Sequence, residues 1–167
     1  RILVIGGSKD YSGAPAIAGM PAIGAGADLA YVASPQKSAE AIKSTSPDLI
    51  VKSLDGDKLS LNHSQEILEL ADNVDAVLIG PGAGIDEETS KLFNVLVAKI
   101  KKPIVLDADA LKQVELKLIE NRDDIILTPH IFEFKSFFNV TDDLKLDIDS
   151  YDFNHVDENI TQFQKIT

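Results

Sequence analysis

The sequence contains no cysteine and no tryptophan, and it has one methionine and three histidines. Without cysteine there is no disulfide framework, no thiol nucleophile and no cysteine-ligated zinc site. The three histidines, His63, His130 and His155, are too far apart in sequence to show the ligand spacing of a zinc site. No apolar run approaches the roughly 20 residues that span a bilayer. These absences exclude thiol chemistry and argue against a metal centre built on histidine.

Basic residues are also scarce, with 16 Lys+Arg against 27 Asp+Glu and a net charge of −11. Nucleic acids and anionic lipid surfaces attract lysine and arginine, so we expect neither nucleic acid nor membrane as a partner. The hydrophobic share of 44% is that of a packed globular protein. Only Arg1 precedes the first strand-like run, with no basic and apolar leader. We therefore expect a soluble cytoplasmic protein whose 167 residues form a single domain.

Short β-branched runs alternate with helical patterns, which predicts βαβ units and a mainly parallel sheet. At least five strands are expected, at residues 2–5, 29–33, 76–79, 103–106 and 125–127. Pro15 suits the first turn of a helix that Pro21 and Gly24 are expected to shorten or kink. Ser34-Pro35 resembles a second helix start, and Asp86 the N-cap of a third. In that third helix Leu92, Val95, Leu96 and Ile100 form one apolar stripe.

Residues 141–167 differ in composition, with seven acidic residues against two lysines. A solvated loop followed by a helix near residues 158–166 is the preferred interpretation. An acidic tail that binds a partner is the alternative.

Two glycine-rich turns follow predicted strands, at Gly6-Gly7-Ser8 and at Gly80-Pro81-Gly82-Ala83-Gly84. Open α/β sheets bind ligands at the carboxyl ends of their strands, where bare amides and a helix N-terminus suit phosphate. Neither turn matches the dinucleotide fingerprint or the P-loop. The structural alternative is a tight turn that needs positive φ. Such a turn explains one or two glycines, but it explains three glycines in five residues less easily.

Asp107, Asp109 and His130 also follow predicted strands. Two carboxylates one residue apart suit Mg²⁺ bound together with nucleotide phosphates, whereas either one could instead cap a helix that begins at Ala108 or Ala110. We expect one aspartate to be functional and the other structural. For His130, ligand contact and a plain packing or surface role stay open.

Five motifs occur in a fixed order over residues 1–140. They are Ile5-Gly6-Gly7-Ser8 with Tyr11-Ser12-Gly13-Ala14-Pro15; Gly24-Ala25-Gly26-Ala27-Asp28-Leu29; Ile79-Gly80-Pro81-Gly82-Ala83-Gly84; Val105-Leu106-Asp107-Ala108-Asp109-Ala110-Leu111; and Leu127-Thr128-Pro129-His130 with Glu133-Phe134. In order and spacing this set resembles the ADP- or ATP-dependent NAD(P)H-hydrate dehydratase family.

The resemblance implies a ribokinase-like three-layer α/β/α fold and a lyase that repairs hydrated NADH or NADPH. ADP or ATP with Mg²⁺ would drive the dehydration, and a homo-oligomer is implied. The implied dinucleotide contacts are Ala14, Gly82 and His130. Further substrate-site residues are expected around them, namely Gly7, Tyr11, Gly80, Gly84 and Asp107.

Two departures from the family pattern bear on these expectations. The family continues with a Lys-Gly strand and a Gly-Gly-Thr-Gly-Asp motif that carries the catalytic base, and the sequence ends at Thr167 before either. We therefore expect a domain truncated at its carboxyl end, possessing no assignable catalytic residue and inactive by itself. Ile131-Phe132 replaces the usual Pro-Gly and is expected to alter the loop beside His130.

Two other functions stay open at the level of sequence. One is a ribokinase-like kinase that leaves a stable phosphorylated small molecule. The other is a nucleotide-binding module without catalysis. Glycine-rich strand ends are common to all three, and the ordered motifs favour the dehydratase.

Overall fold

A computed structural model describes residues 1–137, so the predicted loop and helix of residues 141–167 lie outside the described part of the chain. The six strands are β1 Ile2–Ile5, β2 Ala30–Pro35, β3 Leu49–Leu54, β4 Ala76–Ile79, β5 Ile104–Leu106 and β6 Ile125–Leu127. All neighbours pair in parallel, in the order β3-β2-β1-β4-β5-β6. The predicted parallel sheet is confirmed, and β3 is an additional strand that the sequence analysis missed.

Five α-helices connect or follow these strands: α1 Gly13–Gly24, α2 Gln36–Thr45, α3 Ser64–Asp72, α4 Glu87–Lys99 and α5 Ile131–Phe137. Short 3₁₀ helices lie at Leu61–His63, Ala108–Lys112 and Leu116–Leu118. Within residues 1–137, no helix combines the length and the apolar character needed to cross a membrane.

The helices cover both faces of the sheet. Along β1, Leu3 and Ile5 join the larger core, to which α3 and α4 contribute Ile67 and Leu92. Val4 points the other way, into a smaller core that contains Ala16 of α1 and Ile42 of α2. Right-handed crossovers place the two groups of helices on opposite faces of the sheet. The chain moves from β1 to the edge strand β3, and then from β4 to the opposite edge strand β6. The expected three-layer α/β/α arrangement is confirmed.

Two local predictions are partly correct. Helix α1 is not shortened at Pro21 but continues through it to Gly24. Proline leaves the Ile17 carbonyl without its helical donor, and Ile17 lies on the exposed face, where water can replace that donor. Ser34-Pro35 ends β2 and leads directly into α2, whose N-cap is Pro35 and whose first residue is Gln36, so the predicted helix start is confirmed to within one residue. Ser34 is buried, and its hydroxyl donates to Ser38 Oγ at 2.8 Å.

Helix α4 begins as predicted. Asp86 is its N-cap, and the carboxylate accepts a hydrogen bond from the Glu88 amide at 3.0 Å. Leu92 and Leu96 are buried as expected, as is Ile100 just beyond the helix, whereas Val95 is only partly buried. The buried face also includes Thr89, Phe93 and Val97.

We expect Gly80→Ala to destabilise the fold far more than Gly26→Ala. Both glycines have positive φ, +123° and +105°, so each alanine carries a backbone penalty of about 1 kcal/mol. A Cβ at Gly80 would also lie 2.0 Å from the Asp107 carbonyl oxygen, whereas nothing lies within 4 Å at Gly26. The steric conflict adds about 2 kcal/mol.

Urea unfolding of both variants measures the difference between them. Equal losses of unfolding free energy in the two variants would contradict the packing role assigned to Gly80.

Candidate functional site

The strand order reverses between β1 and β4, and the loops that follow these two strands are joined by backbone hydrogen bonds. The Gly7 amide donates to the Pro81 carbonyl at 2.9 Å, and the Gly80 amide donates to the Ile5 carbonyl at 2.9 Å. In open α/β sheets a ligand crevice forms outside the carboxyl ends of strands at such a reversal. The two glycine-rich turns therefore meet where the topology favours a ligand.

Ala14, Gly82 and Tyr11 lie against one another in this crevice. Ala14 is the second residue of α1, and Gly82 has a φ of +66° in the turn after β4. A Cβ built at Gly82 would lie 3.0 Å from Tyr11 Cβ and 3.2 Å from Ala14 Cβ. Tyr11 is 62% exposed. Three of the predicted substrate-site residues are thus brought together, and they approach so closely that only glycine fits at position 82 without displacing its neighbours.

Gly7 and Gly80 have packing roles. A Cβ at Gly7 would lie 2.2 Å from Ser34 Oγ, and one at Gly80 would meet the Asp107 carbonyl. The predicted row of bare amides is only partly correct, because Gly84 donates to Asp109 Oδ2 at 3.0 Å. Within residues 80–86, the amides of Gly82 and Ile85 make no hydrogen bond to the described part of the chain.

Asp109 and Gln113, from the segment after β5, hold the turn after β4. Asp109 accepts from the Gly84 amide, and Gln113 Nε2 donates to the Gly84 carbonyl at 2.9 Å. Gln113 Oε1 also accepts from the Asp86 amide at 3.1 Å. Sequence reasoning missed Gln113, since one glutamine in a short helical segment carries no distinctive pattern.

The two aspartates after β5 bind different partners. Asp107 precedes the 3₁₀ helix Ala108–Lys112, and its Oδ1 accepts from Thr128 Oγ1 at 2.8 Å. Asp109 accepts from the Gly84 amide, so both aspartates make structural hydrogen bonds, and a functional role for either one stays a prediction. Ala108 between them has a φ of +49°, a strained conformation of the kind that clusters at functional sites. Among residues 1–137, no group of three acidic or histidine side chains is arranged to hold a metal ion.

His130 follows β6 at the same edge of the sheet, two strands from β4. Its Nδ1 accepts from the Phe132 amide at 3.1 Å and from the Glu133 amide at 3.4 Å. The neutral ring therefore carries its proton on Nε2, and the side chain is 59% exposed. Ile131 and Phe132, the residues expected to alter the neighbouring loop, form the first turn of α5.

A cavity of about 570 Å³ adjoins the crevice between the loops that follow β1, β3 and β4. Lys58, from the loop after β3, lies in its wall and pairs with Asp86 at 2.7 Å. The sequence analysis missed this loop because it did not recognise β3. His63 is structural, since its ring contacts the Asp55 carbonyl at 2.9 Å in that loop.

A family model described as NAD(P)H-hydrate dehydratase matches residues 2–167. The chain belongs to the NAD(P)H-hydrate dehydratase family. It is 44% identical, over its whole length, to the bifunctional NAD(P)H-hydrate repair enzyme Nnr of Methanothermobacter thermautotrophicus, and it covers 31% of that protein. It is 39% identical, over 84% of its length, to the ATP-dependent (S)-NAD(P)H-hydrate dehydratase of Entamoeba histolytica, and it covers 47% of that protein.

The family's fold is found in solved structures as well. A ribokinase-like superfamily protein from Enterococcus faecalis superposes with a TM-score of 0.69 and 20% identity, over 87% of this chain and 50% of that one. The ribokinase-like fold expected from the motifs is therefore confirmed. The chain spans half or less of each of these three proteins.

Replacing Asp86 separates its two roles, as helix cap and as partner of Lys58. The hydrogen bond from Lys58, followed by that from the Glu88 amide, holds the pKa of Asp86 below its usual range. Asp86→Ala should cost about 1 kcal/mol through the lost cap, whereas Asp86→Asn keeps a capping oxygen and should cost less.

Because the pKa of Asp86 is lower in the folded state, its ionised carboxylate stabilises the fold at any pH above the unfolded-state pKa of about 3.9. This stabilisation is lost as the pH falls through the lower, folded-state pKa. The stability difference between wild type and Asp86→Asn should therefore shrink between about pH 5 and pH 2. Urea unfolding across this range measures it. A difference that grows on acidification would contradict the Lys58 pairing.

Proposed function

We propose that this chain supplies the crevice with which an ADP- or ATP-dependent dehydratase binds hydrated NADH or NADPH and returns it to the reduced dinucleotide. The observation that carries the proposal is the contact of Ala14 with Gly82 at the reversal point of the sheet, with exposed His130 at the same sheet edge. Family membership supports it, because proteins named for this activity are among the relatives.

The charges around the crevice favour the amino end of α1 for the phosphate groups. No charged residue occurs from Tyr11 to Ala27, and the first turn of α1 contains no acid. Helix α4, in contrast, begins with Asp86, Glu87 and Glu88. An anionic ligand is stabilised by the partial positive charge of a helix N-terminus, and neighbouring carboxylates offset that effect. A strongly acidic protein can in this way keep one uncharged surface for an anion.

Among residues 1–137, Asp107 is well suited to Mg²⁺ that arrives with a nucleotide. Mg²⁺ in such sites binds one or two carboxylates together with phosphates and water, so a cluster of three acids is not needed. The Asp107 carboxylate lies at the carboxyl end of β5 and keeps oxygen lone pairs beyond the one used by Thr128. When bound, the metal would neutralise charge on the phosphates.

The substrate chemistry explains why a nucleotide is consumed. Hydroxide on C6 of the reduced nicotinamide ring is a poor leaving group. Transfer of a phosphoryl group to that oxygen creates phosphate as the leaving group, which the lone pair of the ring nitrogen expels, and loss of a proton from C5 restores the double bond. Positioning and electrostatic stabilisation dominate such a transfer, and that is the contribution we assign to Ala14, Gly82 and His130.

The direct test incubates the full-length protein with hydrated NADH or hydrated NADPH, Mg²⁺ and either ADP or ATP. Absorbance at 340 nm should recover in step with nucleotide hydrolysis. A stable phosphorylated product would instead favour a ribokinase-like kinase. Binding of NADPH in calorimetry without turnover would favour a non-catalytic module, and no recovery with either nucleotide would reject the dehydratase.

Gly82→Ala should weaken binding of NADPH about tenfold, because its methyl group would occupy the space beside Tyr11 and Ala14. Gly26→Ala is the matched control, since it places an alanine at positive φ in open space. Titration calorimetry with NADPH compares the two dissociation constants. Equal affinities in both variants would show that the crevice at Gly82 is not the dinucleotide site.

A further inference from the structure

Glu133 is a buried carboxylate beside His130. It is 7% exposed, and its Oε2 accepts a hydrogen bond from the His130 amide at 3.1 Å. Its Oε1 lies 3.4 Å from His130 Nε2. Since Nδ1 accepts from the amides of Phe132 and Glu133, Nε2 carries the proton and faces an acceptor. Glu133 therefore holds the backbone of His130 by a hydrogen bond and places a carboxylate oxygen close to its ring.

A carboxylate this deeply buried needs a counter-charge, and Lys112 supplies it. Lys112 Nζ lies 3.7 Å from Glu133 Oε1 and 3.6 Å from Asp109 Oδ1. Asp109 in turn holds the Gly84 amide, as described above. One ammonium group thus stands between the carboxylate that holds His130 and the carboxylate that holds the glycine turn.

We propose that Lys112 is a positioning residue that joins the two separate contact points of the dinucleotide site, the turn at Gly82–Gly84 and the imidazole of His130. The inference rests on the proposed function for its ligand and on the geometry of Asp109, Lys112 and Glu133 for its mechanism. Lys112 itself is assigned no contact with substrate. It acts by keeping Glu133 turned inward, against His130.

Removing the ammonium group should release His130. Without Lys112, burial of the Glu133 carboxylate is no longer compensated, and the side chain gains by turning toward water. That movement breaks its contacts with the His130 amide and with Nε2. The exposed ring is then free to sample other rotamers, and in a rotamer that moves Nδ1 away from the amides of Phe132 and Glu133 it can adopt either tautomer.

The test uses Lys112→Met, which keeps most of the side-chain length and removes the charge, and Lys112→Arg, which keeps the charge. Lys117→Met is the control, because Lys117 pairs at 2.5 Å with Glu115 on an exposed surface, and no hydrogen bond or ion pair joins it to a site residue within residues 1–137. All are made in the full-length protein. Unfolding temperature is measured to confirm that each variant is folded.

The first readout needs no ligand. A long-range ¹H–¹⁵N spectrum of the histidine rings should show His130 as the Nε2–H tautomer in wild type, Lys112→Arg and Lys117→Met. In Lys112→Met we expect shifts averaged between the two tautomers. A His130 signal unchanged in Lys112→Met would overturn the positioning role, whether or not the protein is a dehydratase.

The second readout is NADPH affinity. Lys112→Met should bind about tenfold more weakly, the equivalent of one weakened charge-assisted hydrogen bond, and Lys112→Arg should recover most of that loss. Equal losses in Lys112→Met and Lys117→Met would also overturn the proposal. If the wild type neither binds NADPH nor turns over the hydrate, the proposed function fails while the tautomer spectrum still decides the role of Lys112.

Discussion

The arrangement of the site depends on how closely the backbone after β1 approaches the backbone after β4. Gly7 and Pro81 are joined by a hydrogen bond of 2.9 Å, and a Cβ at Gly6 would lie 2.3 Å from the Pro81 carbonyl oxygen. No side chain can be interposed there. The strand order reverses at this point. The contact that joins the loops after β1 and β4 therefore also places Ala14 of α1 beside Gly82.

Beyond this contact, the other parts of the site are held in place by side chains that form hydrogen bonds with the backbone. Gln113 and Asp109 hold the carbonyl and the amide of Gly84, and Glu133 and Lys112 continue the connection toward His130. Such supporting groups fix positions before a ligand arrives, which is what a reaction limited by positioning requires. The strained residue Ala108 immediately precedes Asp109, one of these supporting residues.

The sequence predicts the parts of the molecule in which pattern and position coincide. β1, β4 and β6 are short apolar runs closed by glycine or by polar residues, and Asp86 has the residue type and the context of an N-cap. β3 was not predicted because it is an edge strand in which apolar and polar residues are mixed. Its Lys52, for example, pairs with Glu66 of α3 and does not pack in a core. The helix start at Ser34-Pro35 was predicted to within one residue, although Ser34 itself is a buried strand residue whose hydroxyl bonds Ser38.

The roles of the individual glycines in the turn after β4 could not be predicted from the sequence. Gly80 and Gly82 belong to one motif, yet the first packs against Asp107, whereas the second packs against Tyr11 and Ala14 and also lines a surface pocket. Only coordinates separate these roles, since both have positive φ and both follow β4. Asp109 and Lys112 have the i,i+3 spacing of a helical ion pair, but the link from Lys112 to Glu133 spans 21 positions (133 − 112), and no spacing rule predicts it.

The central claim is that Ala14, Gly82 and His130 contact one dinucleotide. Chemical-shift mapping of the backbone amides during titration with NADPH tests it most directly. The account predicts concerted shifts at the start of α1, in the turn at Gly82–Gly84 and at His130, all following one binding isotherm. Shifts confined to a different surface, or separate isotherms for the glycine turn and for His130, would contradict it.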